Sequence, residues 1–341
     1  MDAISYERAG DVAGAVRAAQ QPGAVFIGGG TNLLDLMKGG VARPLRLIDI
    51  THISGLDTVT TLPNGGIRIG ALVRNSDAAN HALVREQYPL LTQAFLAGAS
   101  SQLRNMATVG GNLLQRTRCG YFYDTAFTQC NKRIPGSGCA ALEGHNRTHA
   151  ILGASPQCIA VNPSDMSVAL AALDAVVRVS GPISGPISGP AGERTIPFAD
   201  FHRLPGDRPD IDTTLQAGEL ITAVDLPPPL FSANAHYLKV RDRASYAFAL
   251  VSVAAALQMD GDHVRTARIA LGGVAHKPWR ASAAEQMLNG QPLTQARLHD
   301  AAAAALHDAK PQHDNRFKVQ LAQRAIVRAV NLAAGRTGGV A

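Results

Sequence analysis

The sequence predicts an α+β protein of two domains, and three observations support this prediction. The chain has 341 residues, enough for two domains that each bury a core. Its first third alternates between helix and strand patterns. A strand pattern at residues 220–226 ends in the prolines 227–229, which cannot continue a central strand and therefore mark a boundary. Beyond this boundary, strand patterns come first and alanine-rich helical segments follow.

The N-terminal segments predict a regular alternation of elements. Residues 11–20 have the pattern of a short amphipathic helix. Ser76 is expected to cap a long helix that runs to about Ala97. Strand patterns occur at three places: 25–27, 45–50 and 67–72.

Residues 104–163 lack helical or strand periodicity and contain all four cysteines. A loop of this length inside a compact domain is usually functional, because its backbone needs another source of order. A bound metal cluster would provide that order.

The remainder of the chain predicts a return to regular structure. Ser164 is expected to cap a helix at 166–173, which leads into a strand at 175–179. Residues 180–190 repeat Gly-Pro-Ile-Ser and are expected to form a surface hairpin tip. After the prolines, strands are predicted at 237–240, 246–257 and 267–271, and helices around 281–289, 294–307 and 316–334.

Composition argues against several classes of protein. Hydrophobic residues make up 46% and charged residues 17%, which is ordinary for a globular protein. No stretch approaches the roughly 18 apolar residues of a membrane helix, and the N-terminus lacks a signal-peptide pattern. The net charge is +6, but the window 104–149 alone has six basic and two acidic residues, a balance of +4. With only 5% aromatic residues, this local charge indicates an anionic cofactor or cluster rather than nucleic acid.

Two glycine turns are candidate contacts for an extended anionic ligand. The first, residues 28–30, follows a strand pattern, and the second lies in residues 107–112. Backbone N–H groups in such turns can approach a pyrophosphate closely because no Cβ intervenes. The first turn fails the dinucleotide fingerprint, since Leu33 stands where a third glycine is needed, and a plain tight turn explains it equally well. Asp165 and Lys239 are candidate polar contacts, or else a helix-capping carboxylate and a solvated lysine.

The cysteines form a candidate metal site with the spacing C-x10-C-x8-C-x18-C: Cys119, Cys130, Cys139 and Cys158. Zinc sites usually use close cysteine pairs, and the bacterial ferredoxin run is also absent. Four separated thiolates can surround a cubane, one for each iron, and nearby basic residues would offset its negative charge: Arg116, Arg118, Lys132 and Arg133. The residues alone leave open an iron–sulfur cluster, a zinc site, and free or disulfide-bonded cysteines. The eleven histidines show no HExxH grouping.

A series of segments resembles a known family across essentially the whole chain. In order they are FIGGGTNLLDLMK, RLIDI, IGALVRNSD, ATVGGNLLQ, PSDMSVALAALDA, GELITAVDLP, YLKVRDRASYAFALVSVAAAL and LGGVAHKPWRA. Together they resemble the FAD-binding subunits of the xanthine dehydrogenase/molybdenum hydroxylase family. More narrowly, QRTRCGYFYD, CNKRIPGSGCAALEG and the later Cys158 resemble the FAD subunit of bacterial periplasmic aldehyde oxidoreductase. That branch carries an additional [4Fe–4S] cluster in an inserted loop.

The resemblance implies a fold and a set of site residues. It implies a PCMH (vanillyl-alcohol-oxidase-type) FAD-binding domain at 1–227, with subdomains at about 1–52 and 53–227 and a cluster-binding insert at 116–160. A CO-dehydrogenase-flavoprotein-like α+β domain is expected at 231–337. The implied FAD contacts are Phe26, Ile27, Gly28, Gly29, Gly30, Thr31, Asn32, Leu33, Thr108, Gly110, Gly111, Asn112, Asp165, Ile221 and Lys239. The implied cluster ligands are Cys119, Cys130, Cys139 and Cys158. Xanthine dehydrogenases place an aromatic residue against the flavin where this sequence has Gly98, so residues 121–123 are expected to shield that face.

The implied function is electron transfer within a heterotrimer. A large subunit with a molybdenum–pterin cofactor would convert aldehyde and water to carboxylic acid, and a small subunit with 2Fe–2S clusters would pass electrons to the FAD of this chain. The external acceptor is expected to be a protein such as a ferredoxin, with the [4Fe–4S] cluster beside the main path. No catalytic side chain is expected here. The expected location is the periplasm, through co-export with a partner that carries the signal, or otherwise the cytoplasm. Two rivals are a stand-alone flavin oxidase or dehydrogenase of the same fold and a non-enzymatic assembly module held by zinc.

Overall fold

The N-terminal unit is a small parallel sheet with two helices. The computed structural model describes residues 3–182 and 192–336. The elements in chain order are β1 Ser5–Arg8, α1 Val12–Ala18, β2 Ala24–Ile27, α2 Leu33–Lys38 and β3 Arg46–Asp49. The strands pair in parallel in the order β1–β3–β2. The Asp11 carboxylate caps α1 by accepting a hydrogen bond from the amide of Gly14 at 2.6 Å. The helix and the first two strands predicted here are confirmed.

The second unit contains a five-stranded antiparallel sheet. Its strands are β4 Val59–Thr61, β5 Ile67–Gly70, β6 Val176–Ser180, β7 Glu193–Pro197 and β8 Leu220–Leu226. They pair in the order β4–β5–β8–β6–β7. The long segment between β5 and β6, residues 71–175, therefore lies outside the sheet and is called the excursion below. It contains the second glycine turn and the four cysteines. The predicted hairpin tip at 180–190 lies almost wholly outside the described residues.

Short helices fill the excursion and its surroundings: α3 Asn75–Asn80, α4 Ala82–Gln87, α5 Pro89–Ala97, α6 Ser101–Arg104, α7 Val109–Leu113, α8 Gly120–Tyr123, α9 Asp165–Ala172 and α10 Phe198–Phe201. The single helix predicted from Ser76 to Ala97 is wrong. His81 adopts extended geometry (φ −66°, ψ 131°), and Tyr88 leaves the helical region (φ −131°, ψ 57°) immediately before Pro89. A residue that precedes proline disfavours helical geometry. The predicted cap at Ser164 is confirmed, because its hydroxyl accepts a hydrogen bond from the amide of Ser167 at 3.0 Å.

The third unit is an antiparallel sheet covered by helices. Its strands are β9 Ala235–Val240, β10 Val251–Asp260, β11 His263–Gly272, β12 Trp279–Arg280 and β13 Gln291–Pro292, and its helices are α11 Ser282–Leu288, α12 Gln295–Ala305 and α13 Phe317–Ala333. The three predicted helices are confirmed. The strand predicted from residue 246 begins only at Val251, because Tyr246 has a positive φ of 50° within an irregular loop. Among the described residues, no helix is long and apolar enough to cross a membrane.

Strand β10 joins two hydrophobic cores. Ala254 and Ala256 pack with the second sheet and α5, whereas Val253, Ala255 and Leu257 pack with α11, α12 and α13. Successive side chains of a strand point to opposite faces, so a strand buried on both faces has a continuous apolar sequence. This packing attaches the third unit directly to the helices that surround the excursion.

Candidate cofactor site

The two glycine turns lie against each other. A Cβ added to Gly29 would stand 1.8 Å from the carbonyl oxygen of Met106. A Cβ added to Gly28 would stand 3.2 Å from the hydroxyl oxygen of Thr108. Only residues without a side chain permit so close an approach. The turns are far apart in the sequence, yet they form one continuous backbone surface.

The second turn rests on the end of β5. The amide of Gly110 donates to the carbonyl oxygen of Ala71 at 2.8 Å, and a Cβ at Gly110 would lie 3.0 Å from the Cβ of Ala71. Thr108 caps α7 by accepting a hydrogen bond from the amide of Gly111 at 3.2 Å. Glycine therefore serves two purposes here, since it allows contact with the sheet below and leaves backbone accessible above.

A cavity of about 680 Å³ opens beside these turns. Its wall includes Thr31 from the first turn, Gly111 from the second, the end of α5, the start of α9 and part of the loop 241–250. Clefts of this size that combine apolar walls with a few polar groups are typical cofactor sites. The cavity and the bare backbone beside it fit an elongated molecule such as FAD.

A buried ion pair forms one wall of the cavity. Lys239 Nζ lies 2.8 Å from Asp165 Oδ2, and only 5% and 7% of these side chains are exposed. Lys239 also donates to the carbonyl oxygen of Ala97 at 3.0 Å, and Tyr237 donates to Asp165 Oδ1 at 2.7 Å. Burial raises the pKa of Tyr237 well above its usual value, so the phenol stays a donor. Asp165 and Lys239 are thus partners of each other. The Lys239 ammonium has three N–H donors, and two of them bind Asp165 and Ala97, so the third can donate to a ligand.

The structure brings some of the expected FAD contacts to the cavity wall and leaves others outside it. Those on the wall are Thr31, Asn32, Gly111, Asn112, Asp165 and Lys239. Eight others belong to the two glycine turns or lie next to them and are not on the wall: Phe26, Ile27, Gly28, Gly29, Gly30, Leu33, Thr108 and Gly110. Ile221 lies elsewhere, in β8, where it is 3% exposed and packs into the core of the second unit.

The aromatic side chains at the cavity differ from those expected. Among the described residues, the phenyl and phenol rings on its wall belong to Phe95, Tyr246 and Phe248, not to residues 121–123. Phe122 is 1% exposed and packs under the cysteine segment, and the Tyr121 hydroxyl accepts a hydrogen bond from the amide of His145 at 2.6 Å. Gly98 is on the wall, 3.4 Å from Asp165 Oδ2 when measured from an added Cβ.

The four cysteines lie in one irregular segment as free thiols. Cys130 and Cys139 face each other in an isolated antiparallel bridge, and Ser155 and Cys158 form a second bridge. Burial raises the pKa of Cys119 to about 12 and that of Cys158 to about 11. The amide of Ala160 donates to Cys158 Sγ at 3.5 Å. Buried thiols with backbone donors nearby become good ligands only when a metal displaces their protons.

The chemistry of this donor set suits a cluster. In the part of the chain that the structure describes, no three His, Cys, Asp or Glu side chains come close enough to hold a single metal ion. A cubane takes one thiolate at each of four iron atoms, so its ligands stand farther apart than those of a single zinc ion. The four thiols supply the number of donors that such a cluster would need, one for each iron.

The basic residues of this segment have their own partners. Asp212 accepts a hydrogen bond from Arg116 at 2.7 Å and contacts the buried ammonium of Lys132. Burial alone would raise the pKa of Asp212, but these two cations hold the pKa at about 2. Arg118 pairs with Asp35 at 3.0 Å. Arg116, Lys132 and Arg118 are therefore held in place by two carboxylates, Asp35 of α2 and Asp212 of a loop distant in the sequence.

Sequence reasoning missed His149, which is 4% exposed and lines the cavity. Its Nε2 lies 3.1 Å from Cys119 Sγ. Burial lowers the pKa of His149 to about 4, so the imidazole is neutral near pH 7. Its position within the aperiodic segment that contains the cysteines was the only signal in the sequence.

Two family comparisons cover most of the chain. Residues 2–229 match the family described as the FAD binding domain in molybdopterin dehydrogenase. Residues 236–333 match the CO dehydrogenase flavoprotein C-terminal domain. The aldehyde oxidoreductase FAD-binding subunit PaoB of Escherichia coli K12 is 54% identical over 327 residues, which are 96% of each chain. The glyceraldehyde dehydrogenase medium chain of Sulfolobus acidocaldarius is 29% identical over 290 residues, 85% of this chain and 82% of the relative.

Solved structures share the same fold. Carbon monoxide dehydrogenase from Hydrogenophaga pseudoflava matches with a TM-score of 0.75 at 25% identity, over 99% of both chains. Quinoline 2-oxidoreductase from Pseudomonas putida 86 matches with a TM-score of 0.73 at 24% identity, again over 99% of both chains. The predicted α+β fold, an FAD-binding domain followed by a CO-dehydrogenase-flavoprotein domain, is confirmed.

Proposed function

The chain belongs to the FAD-binding subunits of the molybdenum hydroxylase family, as its motifs predict, and we propose that it is the electron-transfer subunit of an aldehyde oxidoreductase. The proposal gives this chain FAD and one [4Fe–4S] cluster. It assigns the oxidation of aldehyde to carboxylic acid to a partner subunit with a molybdenum–pterin cofactor. The names of two relatives, an aldehyde oxidoreductase and a glyceraldehyde dehydrogenase, support the substrate class.

The observation that carries the proposal is the pair of interlocked glycine turns beside the cavity. At Gly29 the two turns are so close that no side chain fits between them. FAD, when bound, supplies a centre that accepts electrons in pairs and releases them singly. The protein would hold the diphosphate along the bare backbone of the turns, with the polar side chains of Asn32 and Asn112 on the wall. Lys239 and Asp165 would keep that wall rigid through their buried ion pair.

The cluster proposal rests on Cys119, Cys130, Cys139 and Cys158. All four are free thiols in one segment, and Cys119 also lines the cavity. This placement supports a cluster next to the flavin site, where electrons can move between the two groups. Arg116, Arg118, Lys132 and Arg133 would offset the negative charge of the four thiolates.

Partners and location complete the proposal. The small subunit with 2Fe–2S clusters would deliver electrons from the molybdenum subunit, and a protein such as a ferredoxin would receive them. We propose a periplasmic location reached by co-export with a partner. The likeness of the cysteine segment to that of periplasmic aldehyde oxidoreductases supports it.

The test is cofactor analysis of the complex, purified without oxygen. Visible spectra and iron and zinc content would be measured for the wild type, for the Cys119→Ser/Cys139→Ser variant and for Thr128→Ser, an exposed control in the same segment. We expect flavin in all three samples and about four fewer irons in the cysteine variant alone. Equal iron in all three would remove the cluster from the proposal. A wild-type complex without flavin would refute the proposal as a whole.

A further inference from the structure

His149 lies where the cavity and the cysteine segment meet. Its imidazole lines the cavity together with Cys119, and its Nε2 is 3.1 Å from the sulfur of Cys119. The residue is 4% exposed. Among the described residues, no other imidazole lies within hydrogen-bond distance of a cysteine sulfur.

The C-terminal domain fixes the position of this imidazole. Lys318 Nζ donates to the carbonyl oxygen of His149 at 2.8 Å, and Asn315 Nδ2 donates to the same oxygen at 3.1 Å. The amide of His149 donates to the carbonyl oxygen of Asn146 at 3.0 Å. Both clamping side chains are fully buried, with 0% exposure. These bonds fix the backbone of His149, and the burial of the residue at 4% exposure restricts rotation of the ring away from Cys119.

The hydrogen-bonding capacity of the two groups decides which of them donates. An imidazole carries at least one N–H, and when it carries only one, the proton can sit on either nitrogen. A thiolate bound to iron has no proton and can only accept. Nδ1 of His149 is buried and has no hydrogen-bond partner in the described structure, so no acceptor there competes for the proton. The proton therefore belongs on Nε2, facing the sulfur.

We propose that His149 is a positioning residue for the cluster, whose Nε2–H donates to the thiolate of Cys119 at the boundary with the flavin cavity. The inference rests on the proposed cluster and goes beyond it by assigning a residue that tunes it. A hydrogen bond to a ligating sulfur stabilises negative charge and so favours the reduced cluster. His149 should therefore raise the reduction potential of this cluster and leave clusters on other subunits unaffected.

The first test is a redox titration of the intact complex, followed by electron paramagnetic resonance of each cluster. His149→Phe keeps a ring of similar size without a donor, and His149→Gln keeps a donor near the position of Nε2. We expect His149→Phe to lower the ratio of reduced to oxidised [4Fe–4S] cluster about tenfold at fixed potential, or about 59 mV for one electron. His149→Gln should recover most of this shift, and Thr128→Ser should show none. Equal potentials in His149→Phe and the wild type would overturn the inference.

The second test needs no variant and applies even if His149→Phe fails to assemble. Pulsed magnetic resonance of the reduced wild-type complex, with ¹⁵N-labelled histidine, should detect a ¹⁵N nucleus coupled to the [4Fe–4S] cluster. A cluster signal without such coupling would overturn the role of His149 while leaving the proposed function intact. Absence of the cluster itself, seen as the missing iron, would instead refute the cofactor assignment on which both depend.

Discussion

Replacing Gly29 with alanine should separate the two glycine turns and weaken FAD binding. The added Cβ would lie 1.8 Å from the carbonyl oxygen of Met106, whereas ordinary van der Waals contact begins near 3.4 Å. One of the two segments must therefore move by about 1.6 Å, the difference between these distances. The alanine Cβ has no torsion that could displace it, and the Met106 oxygen belongs to the backbone, so no side-chain rotation can relieve the contact.

The size of the effect follows from the cost of overpacking. Inserting a methyl group into a well-packed site typically costs about 1–3 kcal/mol, and a clash with backbone belongs at the upper end. We expect a displacement of either turn to move the backbone N–H groups away from the positions that would hold the diphosphate, so part of the cost appears in the FAD affinity. About 3 kcal/mol corresponds to roughly a hundredfold weaker FAD binding, at tenfold for each 1.4 kcal/mol.

The assay is a fluorescence titration of the deflavinated complex with FAD. Gly10→Ala is the matched control, because a Cβ at Gly10 meets nothing within 4 Å. Gly28→Ala should fall between the two, since its Cβ would meet the Thr108 hydroxyl at 3.2 Å, and this side chain can turn. A Gly29→Ala complex that binds FAD within about threefold of the Gly10→Ala complex would refute the role assigned to the turns.

Three further predictions concern buried ionisable side chains. Lys239→Met should lower the thermal midpoint and the FAD content, because removing one member of a buried ion pair costs about 3–5 kcal/mol. The double variant Lys239→Met/Asp165→Asn should recover part of the lost stability. A double variant no more stable than Lys239→Met would contradict the pairing. Lys132→Met should also lower the thermal midpoint, since Lys132 is 3% exposed and pairs with Asp212. Arg208→Met should leave the midpoint unchanged, because Arg208 is exposed in its ion pair with Asp210. Burial lowers the pKa of His202 from 6.5 to about 4. Between these values the unfolded chain binds a proton that the folded chain does not, so the free energy of unfolding is unaffected above about pH 6.5 and decreases as the pH falls toward 4. The urea midpoint should decrease less between pH 7 and pH 4.5 in His202→Gln than in the wild type. An equal decrease in both proteins would contradict this effect of His202.

Local patterns were sufficient for the elements whose ends are marked by the sequence. Asp11 and Ser164 cap helices that begin where their side chains accept backbone hydrogen bonds. The long helix expected to end at Ala97 shows the limit of periodicity. Apolar spacing continues through three helices, but Pro89 restricts Tyr88 and breaks the run. The delayed start of β10 follows from the positive φ of Tyr246, which interrupts the extended backbone in the loop that lines the cavity.

The sequence was sufficient to predict the glycine turns and cysteines as candidate site residues, but not to predict which residues contact them. Nothing in the sequence indicates that Gly29 approaches Met106, or that Asp165 pairs with Lys239 rather than facing solvent. Such contacts depend on how the excursion folds back over the sheet. The position of Ile221 was equally unpredictable from its local sequence. Its motif resembles a cofactor-binding segment, but its side chain is buried in the core of the second unit.

The cysteine segment is held by parts of the chain that have no local relation to it. Leu36 of α2 packs with Cys130, Asp212 pairs with Lys132, and Lys318 of α13 clamps the backbone at His149. Each contact comes from a different unit, so the shape of the segment depends on all three units. Because Cys119 belongs both to the proposed cluster and to the cavity wall, loss of the cluster would loosen that wall as well. Cys119 therefore connects the proposed cluster with the proposed flavin site, and His149→Phe changes the surroundings of the cluster while leaving every thiol in place.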